Sequence, residues 1–193
     1  MTLPWSRGLP DGDATKRFVY FRSLKEKADY LDAMASLDAR DPCVRDLARR
    51  FSLSCNPNDR ACVATRIHDW VRDAVPYVYG PSHQELASAA EVAGCDPQRP
   101  AGDNCAGKAR LFVAMCRAVE LEARILPNFR ARGDFNHVQA QVRWPGSEKD
   151  PRAEAGGWLR AELIAKGVAL GDGEEAVTWD GNGQAVLAGD KAR

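Results

Sequence analysis

Long apolar runs are scarce in this sequence. In its most apolar stretch the uncharged run, Leu111 to Cys116, is only six residues. A membrane helix needs roughly 20, so transmembrane helices are excluded and no membrane partner is expected. An excess of one charge is also lacking, since Lys plus Arg is 27, Asp plus Glu is 27 and the formal net charge is zero. A general nucleic-acid binder needs surplus positive charge, so nucleic acid is not an expected partner. Among six cysteines there is no C-x-x-C pair, and the common zinc sites want such pairs or closely spaced histidines. No metal and no cofactor is therefore expected. The opening Met-Thr-Leu-Pro-Trp-Ser-Arg holds no apolar stretch of the roughly 7–15 residues that a secretory signal needs. A cytoplasmic setting follows as the expectation, virion association being the alternative. Most of the cysteines are then expected to be reduced and buried, with Cys55 and Cys62 able at most to close a small loop.

What is present is an ordinary globular composition: 193 residues, 45% hydrophobic and 28% charged, long enough to bury a core unaided. Residues 1–16 read as an irregular arm, and Phe18 to Phe21 as a short strand. Ser23 and Glu26 have capping-box spacing, and Leu24, Ala28, Leu31 and Ala35 follow at helical period. A second helix opens at Asp41-Pro42 with Val44, Leu47, Ala48 and Phe51 on one face. A third runs from Asn58-Asp59 through Val63, Ile67, Trp70 and Val71 and stops before Pro76. Tyr77 to Tyr79 is strand-like, and residues 80–104 form a long loop with one helical turn between Glu85 and Val92. The most apolar helix, Ala106 to Val119, should be central and buried.

After it the pattern turns to strands: Arg124 to Phe129, then His137 to Trp144 alternating so that Val138, Ala140, Val142 and Trp144 share a face, then Trp158 to Ile164. Val177 to Trp179 and Gln184 to Leu187 flank a turn signal at Asp180 to Gly183. Helices followed by an antiparallel sheet make an α+β fold. The tryptophans read as core, and Arg110, Arg117, Arg124, Arg130 and Arg132 as solvated or helix-pairing residues.

One cysteine stands apart. Cys105 follows Gly102-Asp103-Asn104 at the start of the apolar helix, with Asp103 or Asn104 as the cap. The helix dipole and free N–H groups there favour a thiolate, and the same N–H groups can hold an oxyanion. A thiolate needs a base. Of the three histidines, His68 sits inside a helix and reads as structural or surface, His83 lies in the long loop, and His137 opens the alternating strand. Glu162, on the next strand, can place its carboxylate against the imidazole of His137. An acceptor that fixes the tautomer matters mainly to rate rather than folding, so Glu162→Gln is expected to change stability by no more than about 1 kcal/mol. Tyr77, Tyr79 and Gln84 are weaker candidates for an extra oxyanion donor.

The segment Gly102 to Ala109, with Leu111, Cys116-Arg117-Ala118 and Glu122-Ala123-Arg124-Ile125, resembles the transglutaminase-like domain. Asn136 to Val142 matches the His that opens that family's next strand, and Trp158 to Glu162 its Trp-x-x-x-Asp strand. Upstream, Ile67 to Asp73 with Val75-Pro76-Tyr77 is similar to the helix and tyrosine preceding the motif. The resemblance covers roughly residues 60–170 and is closest to compact bacterial and phage-encoded members. It implies a papain-like fold with Cys105 as nucleophile, His137 as base and Glu162 where the family usually has Asp.

Two further departures are Asn104, which lengthens the usual Gly-Asp-Cys by one residue, and Glu120, which stands where a glycine normally closes the helix. The implied activity is cysteine-dependent hydrolysis or transfer of amide-linked acyl groups through a thioester on a protein or peptide substrate. The implied organisation is an N-terminal arm and helices over 1–58 and a transglutaminase-like domain over 59–193. The alternative is a non-catalytic module of a larger protein assembly such as a phage virion or tail.

Overall fold

The computed structural model describes residues 24–78, 87–98, 100–129, 136–172, 177–179 and 185–187. The expected strand at Phe18 to Phe21, the Ser23 cap and the turn at 180–183 lie outside those residues. Five helices come first: α1 (Leu24–Asp38), α2 (Pro42–Leu53), α3 (Arg60–Asp73), α4 (Ala89–Val92) and α5 (Cys105–Ala118). The strands follow as β1 (Glu122–Phe129), β2 (Asn136–Arg143), β3 (Leu159–Ala161), β4 (Val177–Trp179) and β5 (Ala185–Leu187). The order is that of an α+β fold.

Local chemistry starts each helix where the sequence signals it. Asp41 accepts from the backbone N–H groups of Cys43 and Val44 and caps α2, with Pro42 at its first position. Asp59 caps α3 through Cys62 N–H, and Ser88 with Glu91 forms a capping box on α4. Asn104, rather than Asp103, caps α5, its Oδ1 accepting from Ala106 N–H at 2.9 Å.

Every residue of α5 from Cys105 to Cys116 is buried, and α1, α2, α3, α4, β1 and β2 all pack on it. The arginines of α5 hold α1 in place: Arg110 Nε lies 2.6 Å from Asp38, and Arg117 Nη2 lies 2.8 Å from Asp32. Asp32 also accepts from the Ile125 N–H of β1. These arginines are helix-pairing residues, as expected for two of the five. Arg124 instead hydrogen-bonds Gln141 and stacks on Trp158, and Arg130 and Arg132 lie outside the described residues.

The helix ends on a left-handed residue. Glu120 has φ 62°, the sole positive φ of a non-glycine among the described residues. Leu121 N–H reaches the carbonyl of Cys116 and Glu120 N–H that of Arg117, which is the Schellman arrangement that favours glycine. Glu120 is exposed, and its contact with Arg60 is 4.0 Å long, so it offsets little of the backbone cost. Glu120→Gly is expected to stabilise the fold by up to about 1 kcal/mol, raising Tm by roughly 2–4 °C. An unchanged or lower Tm in a thermal melt would count against this account of the turn.

The sheet has the order β1-β2-β3, all antiparallel, with Ile125 opposite Ala140 and Ala140 opposite Ala161. β4 and β5 pair separately as a two-stranded ribbon. The central strand β2 is buried on both faces: Val138, Ala140 and Val142 on one, His137, Gln139 and Gln141 on the other. The third strand is shorter than its apolar pattern suggests, and Glu162 lies just beyond it. Tyr77 makes only a single parallel bridge, to Asp103. Trp70, Trp144 and Trp158 are half-buried rather than core. Trp158 sits between the guanidinium groups of Arg124 and Arg143, at 4.1 and 4.7 Å from its ring, an arrangement that keeps the ring at the surface.

The cysteines depart from expectation most clearly. Cys43 is bonded to Cys95 and Cys55 to Cys62, which leaves Cys105 and Cys116 free and buried. Cys43 and Cys95 are 52 residues apart but meet because α2 and the end of α4 both pack on α5. Cys55 and Cys62 close the short turn between α2 and α3. No helix among the described residues is long and apolar enough to cross a membrane.

Candidate active site

The approach to Cys105 is shaped by two glycines. Gly102 has φ +110°, and a Cβ there would lie 2.5 Å from the carbonyl oxygen of Pro76. That close approach lets Asp103 N–H reach Pro76 O and Val78 N–H reach Asp103 O. One turn further on, a Cβ on Gly107 would lie 2.1 Å from Asp103 Oδ2. The missing side chain is the seat of the Asp103 carboxylate, whose Oδ1 accepts from Asn104 N–H at 2.7 Å. Burial pushes the Asp103 carboxyl above its usual range. The additional Asn104 does not disturb the helix start, because it supplies the cap itself.

Cys105 thus occupies the first position of α5, 9% exposed. Its thiol faces His137 and the backbone N–H of Val138. Burial acts to raise the thiol's pKa, but the bond and charge of His137 outweigh it, and the net shift is downward. His137 is 1% exposed, and its Nε2 lies 2.8 Å from Glu162 Oε2. Nδ1 is therefore the ring nitrogen left for Cys105. Burial alone would depress the imidazole; Cys105 and Glu162 overcome this and carry its pKa up to about 9.

Glu162 is equally buried, and its Oε2 also accepts from Gln139 Nε2 at 2.7 Å while Oε1 accepts from Ile164 N–H at 2.9 Å. Burial acts to raise its pKa, but the His137 bond and charge, with these donors, bring it down to about 2. The structure therefore brings Cys105, His137 and Glu162 together, with His137 hydrogen-bonded to Glu162 and its other ring nitrogen left for the thiol.

Three participants are not evident from the sequence pattern. Gln139 stands two residues after His137, and strand alternation puts both on one face, a signal that was available. His68, expected to be structural or surface, is fully buried, with Nε2 2.9 Å from the Glu162 carbonyl. Lys108 is 1% exposed and donates from Nζ to the carbonyls of Arg72 and Val75, capping the end of α3. Burial brings its pKa down to about 8. Nothing in a helical pattern marks either residue as special. Of the weaker oxyanion candidates, Tyr79 and Gln84 lie outside the described residues, as does His83.

A buried thiol, imidazole and carboxylate in one line, at the head of a buried helix packed on an antiparallel sheet, define the papain-like cysteine class. The profile of the transglutaminase-like superfamily matches residues 45–163, a span that contains Cys105, His137 and Glu162. The chain belongs to that superfamily, a family of cysteine-dependent enzymes. Among solved structures, a candidate cysteine protease from Cytophaga hutchinsonii is similar at 20% identity and a TM-score of 0.44, over 63% of this chain and 37% of that one. A comparison with curated proteins gives no match.

Proposed function

We propose that this protein is a cysteine-dependent amide hydrolase or acyl transferase that acts on protein or peptide substrates through a thioester at Cys105. The observation that carries this reading is the His137–Glu162 contact, made by two side chains each 1% exposed. Burying a carboxylate and an imidazole is costly unless both are paired. A non-catalytic module of a larger assembly would gain nothing from a buried proton relay aimed at a thiol, so the enzyme reading is preferred.

In the proposed reaction Cys105 Sγ attacks the amide carbonyl carbon and a carbon–sulfur bond forms. The backbone N–H of Cys105, at the positive end of α5, faces the developing oxyanion. His137 then gives its Nδ1 proton to the leaving nitrogen as the carbon–nitrogen bond breaks. Water or an amine next attacks the thioester, His137 takes its proton, and the Cys105 sulfur leaves. Water as acceptor gives cleavage or deamidation, and a lysine amine gives cross-linking. The two disulfides support an oxidising compartment over the cytoplasm, where such bonds are rare.

The test is incubation with a protein-derived peptide mixture and a primary amine, with Cys105→Ala as control. Mass spectrometry reads new termini, loss of ammonia from glutamine and amine incorporation. Absence of all three, relative to the control, would sink the proposal. Glu162→Gln gives a second reading. The amide can offer one oxygen to His137 and Gln139 but turns its NH2 against the Ile164 N–H. A buried mismatch of this kind costs roughly 1–3 kcal/mol, more than the 1 kcal/mol expected of an acceptor that serves rate rather than folding. Turnover is expected to fall by roughly 10–100-fold as the imidazole loses its anionic partner. A variant with wild-type Tm and rate would remove Glu162 from the site.

A further inference from the structure

His68 lies behind Glu162 and is not used in the chemistry above. Its ring is fully buried within α3. Nε2 lies 2.9 Å from the backbone oxygen of Glu162, and Nδ1 lies 3.0 Å from Asp69 Oδ1. A carbonyl and a carboxylate can only accept. A neutral imidazole has one N–H and can satisfy one of them, leaving a lone pair against the oxygen of the other. Only the doubly protonated ring satisfies both.

We propose that His68 is a positioning residue for the Glu162–His137 pair, clamping the Glu162 backbone most firmly when both of its ring nitrogens carry protons. This inference rests on the proposed role of the pair. Asp69 supplies the route for the second proton. Its side chain is 47% exposed and lines a cavity of about 340 Å³, bordered also by Thr65, Arg72, Trp144 and Arg152. Solvent therefore reaches one end of a line that runs Asp69, His68, Glu162, His137 and Cys105. Of these, Asp69, His68 and Glu162 are joined through a single imidazole.

The charged groups around His68 come from three elements. Asp69 and Arg72 share α3 with it, Arg72 Nη1 lying 3.0 Å from Asp69 Oδ1, and Asp73 adds a further carboxylate. Lys108 of α5 reaches the carbonyl of Arg72. Glu162 follows β3, and Phe112 of α5 meets the imidazole edge-on at 6.3 Å between centroids. Burial and Arg72 act against the second proton, and Asp69 and the Glu162 carbonyl act for it; the balance puts the His68 pKa below the usual 6.5. The clamp is therefore loosest at neutral pH and tightens on acidification.

The experiment is nitrogen-15 NMR of the histidine rings from pH 5 to 10, on the wild type and on His68→Gln and His68→Phe. The wild type is expected to show both His68 ring N–H protons at the acid end and one at pH 8. His68→Gln keeps a donor for the Glu162 carbonyl and is expected to leave the His137 midpoint in place. His68→Phe keeps the shape but offers no donor, and the His137 midpoint is expected to fall by about half a unit or more as Glu162 loosens. A folded Phe variant with an unshifted His137 midpoint overturns the proposal. If that variant does not fold, a wild-type His68 that carries only its Nδ1 proton at every pH overturns it instead. An inert Cys105 in the wild type would defeat the proposed enzyme activity, yet the His137 midpoint would still report on His68.

Discussion

Iodoacetamide at pH 6.5 is expected to modify one thiol of the native protein, Cys105, on the order of tenfold faster than an unfolded cysteine reacts. An ordinary thiol is about 1% thiolate at that pH. The Cys105 thiol, drawn down by His137, carries a larger thiolate fraction at that pH, and its lower intrinsic nucleophilicity returns part of the advantage. Cys116 is fully buried with its pKa pushed up, and the other four cysteines are in disulfides, so assignment by mass spectrometry is direct. A labelling rate at Cys105 equal to that of an unfolded thiol would remove the ion pair.

Stability against pH makes a stricter test of the same pair. Taken alone, His137 has a raised pKa, so its contribution is full below 6.5 and is lost as pH rises towards about 9. Taken alone, Cys105 has a lowered pKa, so its contribution is full above 9.0 and is lost as pH falls. Between pH 6.5 and 8 the two slopes oppose each other, because folding only moves one proton from sulfur to nitrogen. The dyad therefore adds less slope to Tm over that window in the wild type than His137 would add alone. Cys105→Ser leaves His137 with Glu162 alone, and stability is then expected to fall by up to about 2 kcal/mol from pH 6.5 to 8, or roughly 4–8 °C. Parallel Tm profiles for the two proteins would refute the coupled titration.

Breaking the Cys43–Cys95 bridge is expected to have the largest effect on folding. The bond closes a loop with a sequence separation of 52, and the chain-entropy relation puts its contribution at about 4 kcal/mol. Cys43→Ala with Cys95→Ala should lower Tm by roughly 10 °C. The tighter bridge, with a separation of 7, contributes about 2 kcal/mol by the same relation. The effect should reach Cys105 as well. Cys95 N–H bonds Ala90 O, and Gly102 N–H bonds Val92 O, so α4 links the bridge to the turn that presents Cys105. Slower labelling of Cys105 should accompany the lower Tm. A thiol titration of the denatured, unreduced protein gives the simplest check, two free thiols being expected and six excluding both bridges.

Much of this protein follows from local rules. Asp41-Pro42, Asp59 and Ser88 begin helices because their side chains satisfy N–H groups within three residues. Cys105 stands out because a helix start acts on the residue nearest it, whatever the rest of the chain does. Glu120 is legible as a left-handed substitute for glycine for the same reason. Candidates at His137 and Glu162 follow from strand order and from the family pattern.

Partners far apart in sequence were decided by tertiary structure alone. Strand alternation gives Gln139 a face but says nothing of whether that face is wet. That face is buried because Glu162, Glu154 and Arg124 lie over His137, Gln139 and Gln141. The depth of Glu162, at 1% exposure, turns a surface carboxylate into one whose pKa is set by its neighbours. The Cys43–Cys95 bond, the Lys108 cap on α3 and the His68 contact with Glu162 span 52, 33 and 94 residues. The sequence by itself determined the helix starts, the order of elements and the nucleophile candidate, since those depend on a few neighbouring residues. Burial, pairing and proton affinity depend on what packs from elsewhere in the chain, and only the tertiary structure decides them.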